Sequence, residues 1–137
     1  MGLHPLVRKL AINLVKTCEL RGIKIYIQAP KRHKTIHPSR DLHALGLAFD
    51  IGYYVKKQSD KRPVSEVAKI ALRLGLSWGG NSKNCEENTH FQKTFRPIKK
   101  GRHSLKEHEW IAVLSNEYSK GGKEAVWQLI NDQVKDV

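Results

Sequence analysis

Leu45 to Val55 is an apolar stretch broken only by Gly46, Asp50 and Gly52, and it dictates much of what this chain can become. Leaving such a run in water forfeits roughly 25 cal/mol for each Å² of apolar surface, so other parts of the chain must cover it. Leu47, Phe49 and Ile51 recur at the two-residue period of a strand and can face a core, which predicts a strand over Ala48–Tyr53. With 137 residues there is material for one modest core but not for two independent ones.

The flanking sequence supplies helices and further strands. Leu6, Leu10, Leu14, Val15 and Cys18 have helical spacing over residues 5–21, and Gly22 is placed to end that helix. The β-branched run Ile23–Ile27 predicts a strand, followed by a basic, proline-punctuated loop over 28–41. After Arg62-Pro63, residues Val67, Ile70, Ala71 and Leu74 define a second helix closed by Gly75. Leu76–Gly80 leads into a polar loop, and Thr89–Phe95 reads as a third strand. Beyond Gly101, Ser104-Leu-Lys-Glu107 has the form of a capping box. It predicts a helix to about Tyr118, a break at Gly121-Gly122, and a second helix through Ala125, Trp127, Leu129 and Ile130. The pattern is α+β. We divide it into residues 1–101 and a C-terminal helical extension, 102–137, packed on the first part or serving as an interaction element.

Twenty-five Lys and Arg against thirteen Asp and Glu give a net charge of +12, which implies a polyanionic partner. Nucleic acid and a teichoic-acid-bearing cell wall are both candidates. There is no aromatic-interleaved strand for base stacking and no helix-turn-helix or zinc-finger spacing, yet charge alone does not choose between them. No segment approaches the roughly 18 uninterrupted apolar residues of a membrane helix. Arg8, Lys9, Asn13 and Lys16 interrupt the N-terminal apolar residues, so that segment lacks the core of a secretory signal. The expectation is a monomer made in the cytoplasm without a signal peptide. The two cysteines lack CxxC spacing; Cys18 reads as core, and Cys85 as a second free thiol.

The chemistry concentrates in His43-Ala-Leu-Gly-Leu-Ala-Phe-Asp50 and in Glu87-Asn-Thr-His90. A catalytic zinc takes three protein ligands and keeps a fourth position open, and two histidines with one carboxylate meet that need. His43 and Asp50 are seven apart, which suits a loop running into a strand, with Gly46 letting the chain turn closely around the ion. His90, on a separate strand, would complete the set. Glu87 lies three residues before it and can take a proton from the attacking water and return it to the leaving amine. The plainer reading makes His43 a surface histidine and Asp50 a strand-end turn residue. His4, His33, His37, His103 and His108 read as solvated or structural.

His43, Gly46, Ala48 and Asp50 resemble the SxHxxGxAxD motif of the D-alanyl-D-alanine carboxypeptidase and L-alanyl-D-glutamate endopeptidase family, zinc peptidases of peptidoglycan. Trp78-Gly79-Gly80, followed ten residues later by His90-Phe91-Gln92, looks like the WGG…DxxHFQ signature of the endopeptidase branch, which includes phage endolysins. Leu3-His4-Pro5-Leu6 and the helix after it are similar to the family's N-terminal helix, and Arg32 falls where the family has the arginine of its YRS motif. The resemblance spans residues 3–95.

It implies a hedgehog/DD-peptidase-like fold, a small antiparallel sheet carrying the zinc site and flanked by helices. His43, Asp50 and His90 would bind Zn2+, Glu87 would be the general base, and Arg32 would hold a substrate oxygen. Asp41, Trp78 and Gln92 would contact substrate. The substrate would be the stem peptide of an anionic cell wall, reached through phage-type lysis.

Three departures bear on specificity. Asp41 replaces the motif serine, Glu87 stands where the endopeptidases carry aspartate, and the loop from Arg32 to His43 is short. The leading expectation is an L-alanyl-D-glutamate endopeptidase, with D-alanyl-D-alanine carboxypeptidase as alternative. From other classes come a non-catalytic basic module binding wall polymer or nucleic acid, and a domain with a structural zinc.

Overall fold

The computed structural model describes residues 2–28, 42–54, 62–79, 88–97 and 105–135. Helix α1 (Pro5–Leu20) leads to strand β1 (Ile25–Gln28), then β2 (Ala48–Tyr53), helix α2 (Val64–Arg73), strands β3 (Ser77–Trp78) and β4 (His90–Gln92), and helix α3 (Glu107–Lys135). The four strands form one antiparallel sheet in the order β1-β2-β4-β3. The architecture is the expected α+β one.

Strand alternation divides the sheet into two chemically different faces. Ile25 and Ile27 stand with Phe49, Ile51 and Tyr53, with Phe91 and with Trp78, their registers pairing Ile27 with Ile51 and Phe49 with Phe91. Phe49 and Phe91 stack with ring centroids 5.9 Å apart. This face joins Val7, Ala11, Leu14 and Cys18 of α1, and Val67, Ile70 and Ala71 of α2, in one core. The other face carries Gln28, Ala48, Asp50, Gly52, Ser77, His90 and Gln92, with Asp50 directly opposite His90 and Ala48 opposite Gln92. One face holds the fold together; the other carries the polar cluster, with Tyr26 packed over Gly52 beside it.

The helix boundaries follow from their caps. Gly22, at φ 77°, is the left-handed residue of a Schellman motif, with Ile23 N–H donating to Cys18 O and Gly22 N–H to Glu19 O. Leu76 to Ala71 and Gly75 to Leu72 repeat that pair of bonds after α2. The buried stripe of α1 is Val7, Ala11, Leu14 and Cys18; Leu6, Leu10 and Val15 flank it, half-buried. Leu20 is exposed. Two helical segments of α3 meet at Gly121 and Gly122, where the backbone leaves helical values, as the glycine pair suggested.

Three local expectations need correction. Ser77–Trp78 is a short strand where only a connection was expected, because two residues show no periodicity and pairing with β4 alone defines it. Strand β4 is three residues long, shorter than 89–95, and Phe95 has a positive φ of 55° incompatible with an extended strand. The helix after Gly101 starts at Glu107, so the glutamate reaching back to the cap is Glu109, whose Oε1 accepts from Lys106 N–H at 3.1 Å. Ser104 lies outside the described residues. Among those residues, no helix is long and apolar enough to cross a membrane.

His4 joins three distant parts of the chain. It caps α1, its Nδ1 accepting from Leu6 N–H at 3.1 Å, while its Nε2 lies 2.8 Å from Asn131 Oδ1 in α3. Its backbone N–H donates to Gly46 O, and its ring meets Trp127 edge-on at 5.3 Å. Burial lowers its pKa from the ordinary 6.5, against the opposing effect of the Asn131 hydrogen bond. A cap acceptor at Nδ1 requires the neutral ring. The associated stability is therefore fully present above about pH 6.5 and is lost as pH falls from there through the lowered folded pKa. We expect Tm to be lower at pH 5 than at pH 7.5, and the drop to shrink in His4→Asn, which keeps a capping acceptor. Equal pH dependence in both proteins would exclude His4 as the cause.

Candidate metal centre

His43 enters the site from a tight turn that precedes β2. Leu47 N–H donates to Leu42 O at 2.9 Å and Gly46 N–H to His43 O at 3.1 Å, with Gly46 at φ 76°. A side chain there would be strained, and its Cβ would run into Gly2 O and lie 3.0 Å from the Trp127 ring. The close approach Gly46 permits is thus to the N-terminal segment and α3, where the sequence had suggested an approach to the ion. Trp127 Nε1–H donates to Leu45 O at 2.8 Å and fixes the same turn from α3.

The turn, β2 and β4 bring three donor atoms together. His43 Nε2 is 3.2 Å from His90 Nδ1, His90 Nδ1 is 3.2 Å from Asp50 Oδ1, and His43 Nε2 is 3.6 Å from Asp50 Oδ2. The rings meet edge-on with centroids 4.9 Å apart. Tetrahedral coordination with bonds of about 2.0–2.1 Å separates neighbouring donors by about 3.3 Å, so these spacings fit one shared ion. Two imidazoles and a carboxylate can form a metal site, and the three donors all fall within 4.8 Å of one another. Side-chain exposures of 19% for His43, 27% for Asp50 and 18% for His90 leave the group reachable from solvent while shielding most of each side chain.

Gln92, expected to contact substrate, has both ends of its amide engaged. Its Oε1 lies 2.9 Å from His90 Nε2, and its Nε2 donates to Glu107 Oε1 at 2.9 Å. Trp78 is half-buried against the core, and its Nε1–H donates to Asn88 O at 2.7 Å, tying β3 to the turn that delivers His90. Arg32, Asp41, Cys85 and Glu87 lie outside the described residues, as do His33, His37 and His103. His108 is exposed.

Sequence reasoning did not place Glu107 here, having read it as a helix cap. It also missed a cavity of about 220 Å³ lined by Ser77, Lys93, Thr94, Phe95, Arg96 and Glu107. The signal for that cavity was faint, the basic residues Lys93 and Arg96 directly after the His90–Gln92 strand.

Residues 36–93 match the family model described as D-alanyl-D-alanine carboxypeptidase. The matched segment contains His43, Asp50 and His90, and excludes Arg32 and all of α3. No curated protein matches the chain.

Proposed function

We propose, from the premise that the segment 36–93 belongs to the D-alanyl-D-alanine carboxypeptidase family, that this chain is a zinc-dependent peptidase acting on the stem peptide of peptidoglycan. The observation that carries the reading is the convergence of His43, Asp50 and His90 at separations suited to one tetrahedral ion. Zinc is the favoured metal because two imidazoles and one carboxylate with an open position are its usual catalytic donor set. When bound there it would supply Lewis acidity, polarising a carbonyl and lowering the pKa of water toward about 7.

The chain's own groups would carry the proton and orient the substrate. Glu87, three residues before His90, would accept a proton from the attacking water. The water oxygen bonds to the carbonyl carbon, the C–N bond breaks, and Glu87 returns the proton to the departing amine. Arg32 would steady the negative charge that develops on the carbonyl oxygen. Asp41 would support His43 or orient substrate, and Trp78 would flank the substrate path.

Two bonds are chemically plausible targets. The WGG…HFQ pattern at Trp78-Gly79-Gly80 and His90-Phe91-Gln92 favours the L-alanyl-D-glutamate bond, cut from inside the peptide. The second reading, removal of a terminal D-alanine, is favoured by Glu87 in place of aspartate and by the matched family's description. The net charge of +12 suits an anionic wall with either bond. Lysis of a host cell would bring such a chain to its substrate.

The test combines zinc content with the products released from purified peptidoglycan. We expect one zinc per chain in both the wild type and Glu87→Ala. Cleavage should fall about 10²–10⁴-fold in the variant, the usual worth of a positioned acid–base group. Free D-alanine identifies the carboxypeptidase, and new N-terminal D-glutamate identifies the endopeptidase. Equal cleavage by both proteins removes Glu87 from the mechanism. Absence of zinc from the wild type overturns the whole reading.

A further inference from the structure

The hydrogen-bonded chain from His90 through Gln92 to Glu107 fixes more than the position of a side chain. The two ends of an amide have nearly the same shape, so its partners decide which way round it sits. A carboxylate accepts and does not donate, so Glu107 turns the amide nitrogen of Gln92 toward itself at 2.9 Å. The amide oxygen then faces His90 Nε2, also at 2.9 Å. A carbonyl oxygen offers no proton, so the ring nitrogen must carry it. Nδ1 is the atom directed at Asp50 Oδ1 and His43 Nε2, each 3.2 Å away. With Nε2–H held by Gln92, Nδ1 is the ring nitrogen that can give a lone pair to an ion there, releasing any proton it shares with the Asp50 carboxylate.

We propose that Glu107, acting through Gln92, locks His90 in the Nε2–H tautomer and so makes Nδ1 the atom that binds the metal. Both are positioning residues, and the proposal rests on the metal site put forward above. Metal-binding histidines commonly donate their second ring N–H to a carboxylate or carbonyl, which fixes the ring and raises its basicity. Here a side-chain amide is interposed, and the carboxylate comes from the first residue of α3, outside the matched segment. The metal centre thereby extends across the boundary we drew near residue 101. Beyond the Gly121-Gly122 break, the second segment of α3 is anchored by Trp127 to Leu45 and by Asn131 to His4, next to the turn that presents His43.

A plain helix-terminus role for Glu107 is the competing explanation, since an acidic residue in a first turn is favourable wherever the helix lies. Glu109 occupies that turn as well and bonds the Lys106 amide. The two explanations separate by epistasis. Gln92→Leu should raise the zinc Kd within the roughly 10–100-fold typical of lost outer partners, and Glu107→Gln should raise it by about tenfold, the low end of that range. The double variant should bind zinc no worse than Gln92→Leu alone, because Glu107 reaches His90 only through Gln92.

The decisive experiment measures zinc Kd by chelator competition for the four proteins, with long-range ¹H–¹⁵N NMR of His90 in the metal-free wild type. The expected result is the proton on Nε2 together with the non-additive Kd series. An Nε2 without a proton, an unchanged Kd in Gln92→Leu, or additive effects of the two substitutions would overturn the relay. Should a variant fail to fold, the wild-type spectrum still decides the tautomer. Should the wild type bind no zinc, the proposed function fails while the spectrum continues to test the relay by itself.

Discussion

On the proposed function, replacing His90 by alanine is expected to leave a folded chain that no longer retains zinc at stoichiometric level, and cleavage of peptidoglycan should disappear with it. Three side-chain donors converge in the site, and removing one leaves two, His43 and Asp50, that sit 3.6 Å apart. The loss should exceed the roughly 10–100-fold that removal of an outer partner costs, because a direct bond to the ion is gone. The fold should survive, since His90 projects from the polar face of β4 and spends its hydrogen bonds on Asp50, His43 and Gln92. None of those contacts belongs to the core. A thermal readout sharpens the test: zinc at 100 times its Kd should stabilise the wild type by about 2.7 kcal/mol, whereas the variant's Tm should not respond. Stoichiometric zinc in a folded His90→Ala chain would show that His90 is not a ligand.

How far the sequence anticipated this site depends on whether each relation is local or distant. The Asp50 strand was legible because Leu47, Phe49 and Ile51 mark its buried side within a few residues. Pairing in the sheet then puts His90 opposite Asp50, and a one-residue slip would have sent one of them into the core. The Schellman glycines at 22 and 75 were legible for the same local reason. What stayed hidden depends on where α3 comes to rest. Ser104 and Glu107 satisfy a capping pattern, yet the helix starts two residues later and frees Glu107 for Gln92. Gly46 was correctly singled out, but its neighbours, Gly2, His4 and Trp127, come from both ends of the chain. His4 was placed among the solvated or structural histidines, and nothing within its own segment announces Asn131, 127 residues away.

Phe91→Ala should be the most destabilising single substitution on the strand that carries the site, costing about 3–5 kcal/mol. The ring is fully buried, stacks on Phe49, and lies at the register where β2, β4 and β3 meet, opposite both Phe49 and Trp78. Its removal opens a hole lined by residues of a central strand, which cannot collapse without disturbing two registers at once. A drop in Tm on the order of 10–20 °C in the metal-free protein is the expected scale for a domain of this size. His90 and Gln92 flank Phe91 and point the opposite way, so a weakened β4 also loosens the donor set. Zinc affinity should therefore fall in Phe91→Ala although no ligand or hydrogen-bonded partner has changed, and Phe91→Leu, which restores most of the volume, should recover much of both losses. Urea denaturation of the metal-free variants, paired with zinc titration of each, separates the effects. An affinity in Phe91→Ala equal to wild type, alongside the expected stability loss, would mean that His90 is held by its polar partners alone and that core and site are energetically independent.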